Sequence, residues 1–470
     1  MDTTLTVPKT EYSPRFVLTA LIIFGGSFLT VYFLPGIIAK YFFVGLFAYA
    51  FRSRQYGVLA VFYLVLLMNP LYLFRSYDLP IYNIIPGISL GVFDIMGVIL
   101  LIKALNFHRK FLFSKPIVLL LVMIVFYFIS SFFDGSDFDY SISSMRKYFF
   151  ITSYFVFSAF LEDEQQNKIF LKIALFIALL SVLDQFLSLL TGKYLMSFLT
   201  GKSFQMMYFE ESEQVRSFST AFYLVYLFLI FSFRNVFEEV KQFRYNYWLL
   251  GIFSLSILLS GTRQWFINLI ILFSLAMLRT KKLSKTFLIP ILVIMITFMI
   301  LIVSNIINLE YLLINVLGRY ETLITLTRGD LSQVTARMDD FYNVLYHIKN
   351  SLPLGMGFRA DTTVISNDIG GFFNAIARFG ILGGFLFSYF FVHIIKKTGR
   401  TALKHGQESQ QILYAAWVAL FVQFLYVYDY FSFTMDAVAM ITLLLAYTEI
   451  NIRKSLSDQL IYENSQKSTV

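Results

Sequence analysis

Apolar runs joined by short polar turns fill most of this chain, and one long polar interval interrupts them. The runs lie near Phe16–Leu34, Ile37–Phe51, Tyr56–Phe74, Ile88–Leu105, Pro116–Phe133, Tyr148–Leu161, Ile169–Leu190, Phe218–Phe233, Tyr247–Ser260, Trp265–Leu278, Thr286–Asn305, Ile369–Ile395, Ile412–Tyr428 and Phe431–Tyr447. Most approach the ~20 residues that an α-helix needs to cross a bilayer. The pattern predicts an all-α, polytopic membrane protein with 12 to 14 spans, 14 being the preferred count, built as one membrane domain over residues 1–470. The polar interval, residues 308–368, is then a large loop outside the membrane. Within it Thr335–Asn350 has helical period, with Met338, Phe341, Leu345 and Ile348 on one stripe and Asp339, Asn343 and His347 on another. Thr335 is placed to cap its start and Pro353 to close it. This helix is expected to lie across the membrane surface.

Composition agrees with a lipid solvent. Of 470 residues 58% are hydrophobic and 14% charged, far outside the soluble range. The 55 Phe and 30 Tyr suit membrane packing and sugar contacts alike. No Cys is present, which excludes disulfides, thiolate metal sites and Cys nucleophiles. The segment before Phe16 is polar and shows no cleavage site after a short apolar core, so the first run reads as a retained anchor.

Threading the runs with the N-terminus inside puts Arg52 and Arg54, Lys103 to Lys115, Arg234 to Arg244, Arg279 to Lys285 and Lys396 to Lys404 on one face. That face holds the larger share of the 38 basic residues, although the opposite face carries the longest loop. Lys and Arg collect in short cytoplasmic loops, so both termini are expected in the cytoplasm and residues 451–470 form a cytoplasmic tail. The net charge of +9 belongs to that face and calls for no nucleic-acid partner.

The outer face carries the candidate chemistry. Its segments Asp134–Lys147, Thr191–Arg216 and Ser260–Gln264 each hold an arginine at a helix junction: Arg146, Arg216 and Arg263. At mid-bilayer a lipid-facing arginine costs at least ~2.5–3.5 kcal/mol, so each is either an interfacial anchor or faces a polar cavity. Asp94, Asp184, Arg378 and Asp436 lie farthest inside apolar runs and are expected to face the bundle interior and pair with one another. Arg378, about ten residues into its run, would sit ~15 Å deep. Gly380 and Gly384 are spaced for close helix packing.

Together these features resemble the Wzy-type O-antigen and capsular polysaccharide polymerases and their relatives, the O-antigen ligases. The resemblance rests on SGTR (Ser260–Arg263) between two apolar runs, on Arg216 before them, and on a helix led by Arg337 after a large external loop. PLGMGF (Pro353–Phe358) and FGILGG (Phe379–Gly384) complete it. It implies a glycosyltransferase of the membrane-embedded C class in a bacterial inner membrane. Its substrate would be an undecaprenyl-diphosphate-linked oligosaccharide, its product a longer lipid-linked glycan, and a flippase and a chain-length regulator would be its partners.

The residues are compatible with that chemistry. A departing diphosphate develops negative charge that fixed cations or a metal must meet. No His cluster or repeated acidic spacing suggests a metal, and no cofactor motif is apparent, so arginines are the expected source. Guanidinium groups bind phosphate oxygens in a bidentate fork. Arg216, Arg263 and Arg337 are assigned to the diphosphate, with Arg359 and Arg378 as further contributors. The ligase relatives use a His before the returning helix, where this chain has Ser366, Asn367 and Asp368. Asp368 is the expected base, with a helix cap as its other reading and Asp339 and His347 as rivals. A flippase or other transporter is the competing class, although no repeat relates two halves of the chain.

Overall fold

The computed structural model describes residues 14–53, 55–74, 78–85, 88–107, 114–133, 138–162, 164–191, 193–201, 219–233, 246–260, 262–280, 332–358, 371–405, 408–426, 430–431 and 434–467. Every apolar run that falls among them is helical over most of its length. In chain order the helices are α1 (Pro14–Tyr32), α2 (Gly36–Arg52), α3 (Tyr56–Met68), α4 (Val92–Phe107), α5 (Lys115–Phe133), α6 (Phe138–Phe149), α7 (Ser153–Glu162), α8 (Glu164–Thr191) and α9 (Leu195–Thr200). They continue with α10 (Phe222–Ser232), α11 (Asn246–Leu259), α12 (Arg263–Thr280), α13 (Ser332–Ser351), α14 (Gly371–His405), α15 (Glu408–Tyr426) and α16 (Met435–Lys467). The run at Thr286–Asn305 lies outside the described residues, as does 308–331.

Among the described residues, three helices contain stretches long and apolar enough to cross a membrane: Phe170–Leu189, Gly371–Leu403 and Met435–Leu456. Shorter apolar helices accompany them. Large hydrophobic side chains stand exposed along the outside, among them Leu21 and Ile22 on α1, Val122 and Phe126 on α5, Phe176 and Leu183 on α8, and Phe385 on α14. Water would not tolerate such a surface over a folded protein, whereas hydrocarbon does. This is a mostly helical membrane protein. Helices α3 and α10 are the reverse case: every residue of Val58–Met68 and of Phe222–Ser232 is buried, as expected of helices apolar on all sides at the centre of a bundle.

Several polar groups inside the bundle pair with one another, since hydrocarbon offers no other partner. Tyr226 donates to Asn268 Oδ1 at 2.5 Å, and Asn268 Nδ2 and the Tyr430 hydroxyl both donate to Gln423 Oε1, at 2.8 and 2.6 Å. At the end of the bundle where the basic connections gather, Lys103 donates to the Ser53 carbonyl and Arg279 covers the Tyr414 ring at 4.4 Å. Lys397 lies 3.6 Å from Glu449 there, and Arg453 lies 4.0 Å from Glu162. Helix ends assigned to one face by charge therefore meet one another.

Several expectations are corrected. Residues Ile88–Gly91 are not the start of a span but the second strand of a hairpin, paired antiparallel with Ile81–Ile85. Helix α3 stops at Met68, where Asn69 turns left-handed (φ 42°). Tyr148 ends α6 rather than opening a span, and a 3-10 turn at Phe150–Thr152 leads into α7. Helix α13 begins at Ser332, so Thr335 lies inside it and is not its cap. Helix α16 continues beyond the apolar run that ends at Tyr447 and takes in residues 451–467 of the segment read as a tail.

Candidate functional site

Helix α14 is broken. Phe379 (φ −117°, ψ 16°) and Gly380 (φ 62°, ψ −160°) leave helical geometry, which divides the element into a first half from Gly371 and a second half from Ile381. A break inside an apolar helix frees peptide groups that hydrocarbon cannot satisfy. Here the chain just after α13 supplies the partners. Met356 N–H donates to Ala377 O at 2.9 Å, Gly357 N–H to Arg378 O at 2.6 Å, and Ile381 N–H to Pro353 O at 3.1 Å. The Tyr127 hydroxyl of α5 reaches Leu354 O at 2.6 Å and Phe379 O at 2.7 Å. Two of the sequence motifs, PLGMGF and FGILGG, thus form one stitched junction.

Glycine makes the approach possible. Gly355 (φ +78°) and Gly380 (φ +62°) face each other, and a Cβ on Gly355 would fall 2.2 Å from the Gly380 nitrogen, one on Gly380 2.0 Å from the Pro353 oxygen. The helix-packing role expected of Gly380 is therefore replaced by a backbone one. Gly384 does serve close packing, but within α14 itself: its Cβ would meet Ile376 Cγ1 at 2.5 Å.

Arg378 lies one residue before the break. Its side chain is buried, with its guanidinium carbon 5.9 Å from the centre of the Tyr148 ring. The break follows Arg378, so the residues counted toward its expected depth of ~15 Å precede it. Beyond the break, residues 381–395 rise ~22 Å, less than the ~30 Å of a hydrocarbon core. Helix α13 packs on the half-helix before the break: Phe341 meets Phe373 edge-on at 5.3 Å, and Val344 and Ala377 share a small core with Ile348 and Met356. Of the stripe read from the sequence, Phe341 and Ile348 lie on that contact face, joined by Val344, which the stripe did not include; the Met338 side chain lies outside the described residues, and Tyr342 and Tyr346 are exposed.

Helix α12 opens with Arg263 at this same end. Its next turn anchors it, because Trp265 is ringed by Phe222, Tyr223 and Tyr226 of α10 at 5.0, 5.8 and 4.7 Å. The Tyr226, Asn268, Gln423 and Tyr430 chain then ties α12 to the turn before α16. From that turn Phe431 meets Phe387 at a tilt, and Phe387 stacks on Phe379 at the break.

The aspartates expected deep in the membrane all sit near helix ends or turns. Asp94 occupies the first turn of α4 and accepts both Arg146 Nε at 2.7 Å and Arg146 Nη2 at 2.6 Å, along with Gly91 N–H at 2.7 Å. Arg146 also lies 4.6 Å over the Phe93 ring. Two of its donors go to Asp94, so Arg146 is held in an ion pair. Asp184 accepts the Leu195 N–H at 2.6 Å, and Asp436 accepts that of Ala437 at 3.0 Å in the first turn of α16. Of the assigned residues, Arg216, Arg359 and Asp368 lie outside the described residues, and so do the side chains of Arg263 and Arg337. The structure fixes the helices that bear Arg263 and Arg337 and the whole of Arg378. Tyr127 and Asp436, both at this end, were not among the assigned residues; Asp436 drew attention only as a buried charge.

No family model matches the chain, and it matches no curated protein and no solved structure.

Proposed function

We propose that the chain is a membrane glycosyltransferase of the polysaccharide polymerase kind, with 14 spans and both termini in the cytoplasm of a bacterial cell. It transfers a glycan from undecaprenyl diphosphate to the terminal hydroxyl of a second lipid-linked repeat unit at the outer face of the inner membrane. The observation that carries this reading is the packing of α13, which bears Arg337, against the half-helix that ends in Arg378, at the end of the bundle where α12 begins with Arg263. Two of these arginine positions belong to elements that pack on each other, α13 and α14, and α12 begins at the same end of the bundle.

In the reaction the acceptor oxygen attacks the anomeric carbon and the bond from that carbon to the diphosphate oxygen breaks. The lipid diphosphate leaves with the electron pair, which Arg216, Arg263 and Arg337, with Arg359 and Arg378 as further contributors, stabilise in place. The acceptor proton passes to a carboxylate, for which Asp368 is the candidate. Purified protein supplied with lipid-linked repeat units is expected to yield a ladder of longer glycans, in EDTA as well as without it. Arg263→Ala should insert normally and give single-repeat products; wild-type chain lengths in that variant would remove Arg263 from the mechanism.

The broken helix favours a second reading, a transporter, since discontinuous helices line many transport sites. The same vesicles separate the two. Translocated but unextended substrate would mean transport, and extension would mean transfer.

A further inference from the structure

Tyr127 belongs to α5, which carries none of the arginines assigned to the diphosphate. Its hydroxyl has a single proton, and two carbonyls lie within reach of it, Leu354 O on the turn after α13 and Phe379 O at the helix break. The ring backs this up by meeting the Phe379 ring at 5.2 Å. Helix α6 adds a second hold on the same junction. Ser141 Oγ donates to Phe358 O at 3.0 Å, and the Tyr148 ring, which lies beside Arg378, stands edge-on to both Phe358 and Phe379 at 5.8 and 5.1 Å. The α5–α6 pair therefore grips both partners of the junction at once.

The geometry points to Tyr127 as a positioning residue that fixes the break, and through it Arg378, for the leaving diphosphate; this rests on the function proposed above. Arg378 has its own carbonyl tied to Gly357 N–H, so the backbone that carries its side chain shifts only together with the turn. The Tyr127 hydroxyl is a side-chain donor within reach of both. Charge on the diphosphate grows as its bond to the sugar breaks, so a displaced guanidinium should slow turnover more than it weakens ground-state binding.

The test uses full-length Tyr127→Phe in lipid nanodiscs, a change that keeps the ring. Amide hydrogen exchange at Gly357 and Ile381 should accelerate at least about tenfold, the factor that one buried hydrogen bond is worth, while peptides from α3 and α10 stay as in the wild type. With lipid-linked repeat units kcat should fall about tenfold with KM within about threefold, and adding Arg378→Lys should cost less than it does alone. Unchanged exchange at both amides would overturn the clamp. Faster exchange with wild-type kcat would overturn the positioning role. Should Tyr127→Phe fail to fold, Ser141→Ala is read at Gly357 in the same way, and no acceleration there would overturn the proposal. A wild-type protein that forms no polymer would remove the proposed function and the positioning role with it, while the exchange data would still decide the clamp.

Discussion

Helices α14 and α16 are nearly equal in length, 35 and 33 residues, and are built on opposite plans. Helix α16 keeps its backbone hydrogen bonds to itself and pairs its polar side chains sideways. Thr442 lies 2.7 Å from Ser153, Thr448 accepts from Trp417 Nε1 at 3.0 Å, and Glu449 accepts from the Tyr154 hydroxyl at 2.6 Å. Helix α14 gives up its backbone continuity at Phe379–Gly380 and takes peptide partners from the turn after α13. An unbroken helix depends on pairs that can be lost one at a time. A broken one depends on a second segment arriving in a single register, so its geometry is set by residues distant in sequence. Such a helix end is suited to holding a charged side chain in a fixed place.

The sharpest way to break this contrast is Gly380→Ala. The new methyl would collide with backbone atoms, which cannot rotate away, at a residue held at positive φ, so a loss above ~2 kcal/mol is expected from the two effects together. Thermal unfolding in detergent would read it, and Gly355→Ala should behave alike because the clash is reciprocal. A wild-type melting point for both would mean that the junction does not hold α14. Next in size is Tyr154→Phe, which takes the hydroxyl from the buried Glu449 carboxylate and leaves Lys397, 3.6 Å away and partly exposed, as the remaining partner named here. A loss of ~1–3 kcal/mol is expected for a charged acceptor stripped of a donor. Tyr154→Phe with Glu449→Gln should recover part of it, since no charge is then left buried.

How much of this could be read beforehand follows the range of the interactions. Apolar runs became helices because helix formation and burial are decided within a few turns, and of the stripe Met338, Phe341, Leu345 and Ile348 on α13 two members, Phe341 and Ile348, lie on its contact face. Its start was misjudged by three residues, Thr335 for Ser332, since a local capping signal competes with tertiary contacts. The motifs around Gly355 and Gly380 were visible, but not that they bond to each other, because nothing local in either stretch names the other. The same holds for Arg146, which looked like its neighbours Arg216 and Arg263 until Asp94, 52 positions away, proved to be its partner. Position in a loop does not reveal whether an arginine is already spent.

The smallest effect completes the contrast. Ser153→Ala removes one hydroxyl from the buried pair with Thr442, in the middle of α16. The Thr442 hydroxyl already lies 2.9 Å from Val438 O and 3.1 Å from Ala439 O, one turn back on its own helix, so it keeps a partner when Ser153 is gone. Side-chain hydrogen bonds between membrane helices average only ~0.6 kcal/mol, and a self-satisfied threonine should fall at or below that. The expected melting-point shift is therefore slight, and polymer length should stay at the wild-type value. If Ser153→Ala instead unfolded the protein as readily as Gly380→Ala, α16 would be as dependent on foreign contacts as α14, and the break in α14 would lose its claim to be the point where the fold is committed to a site.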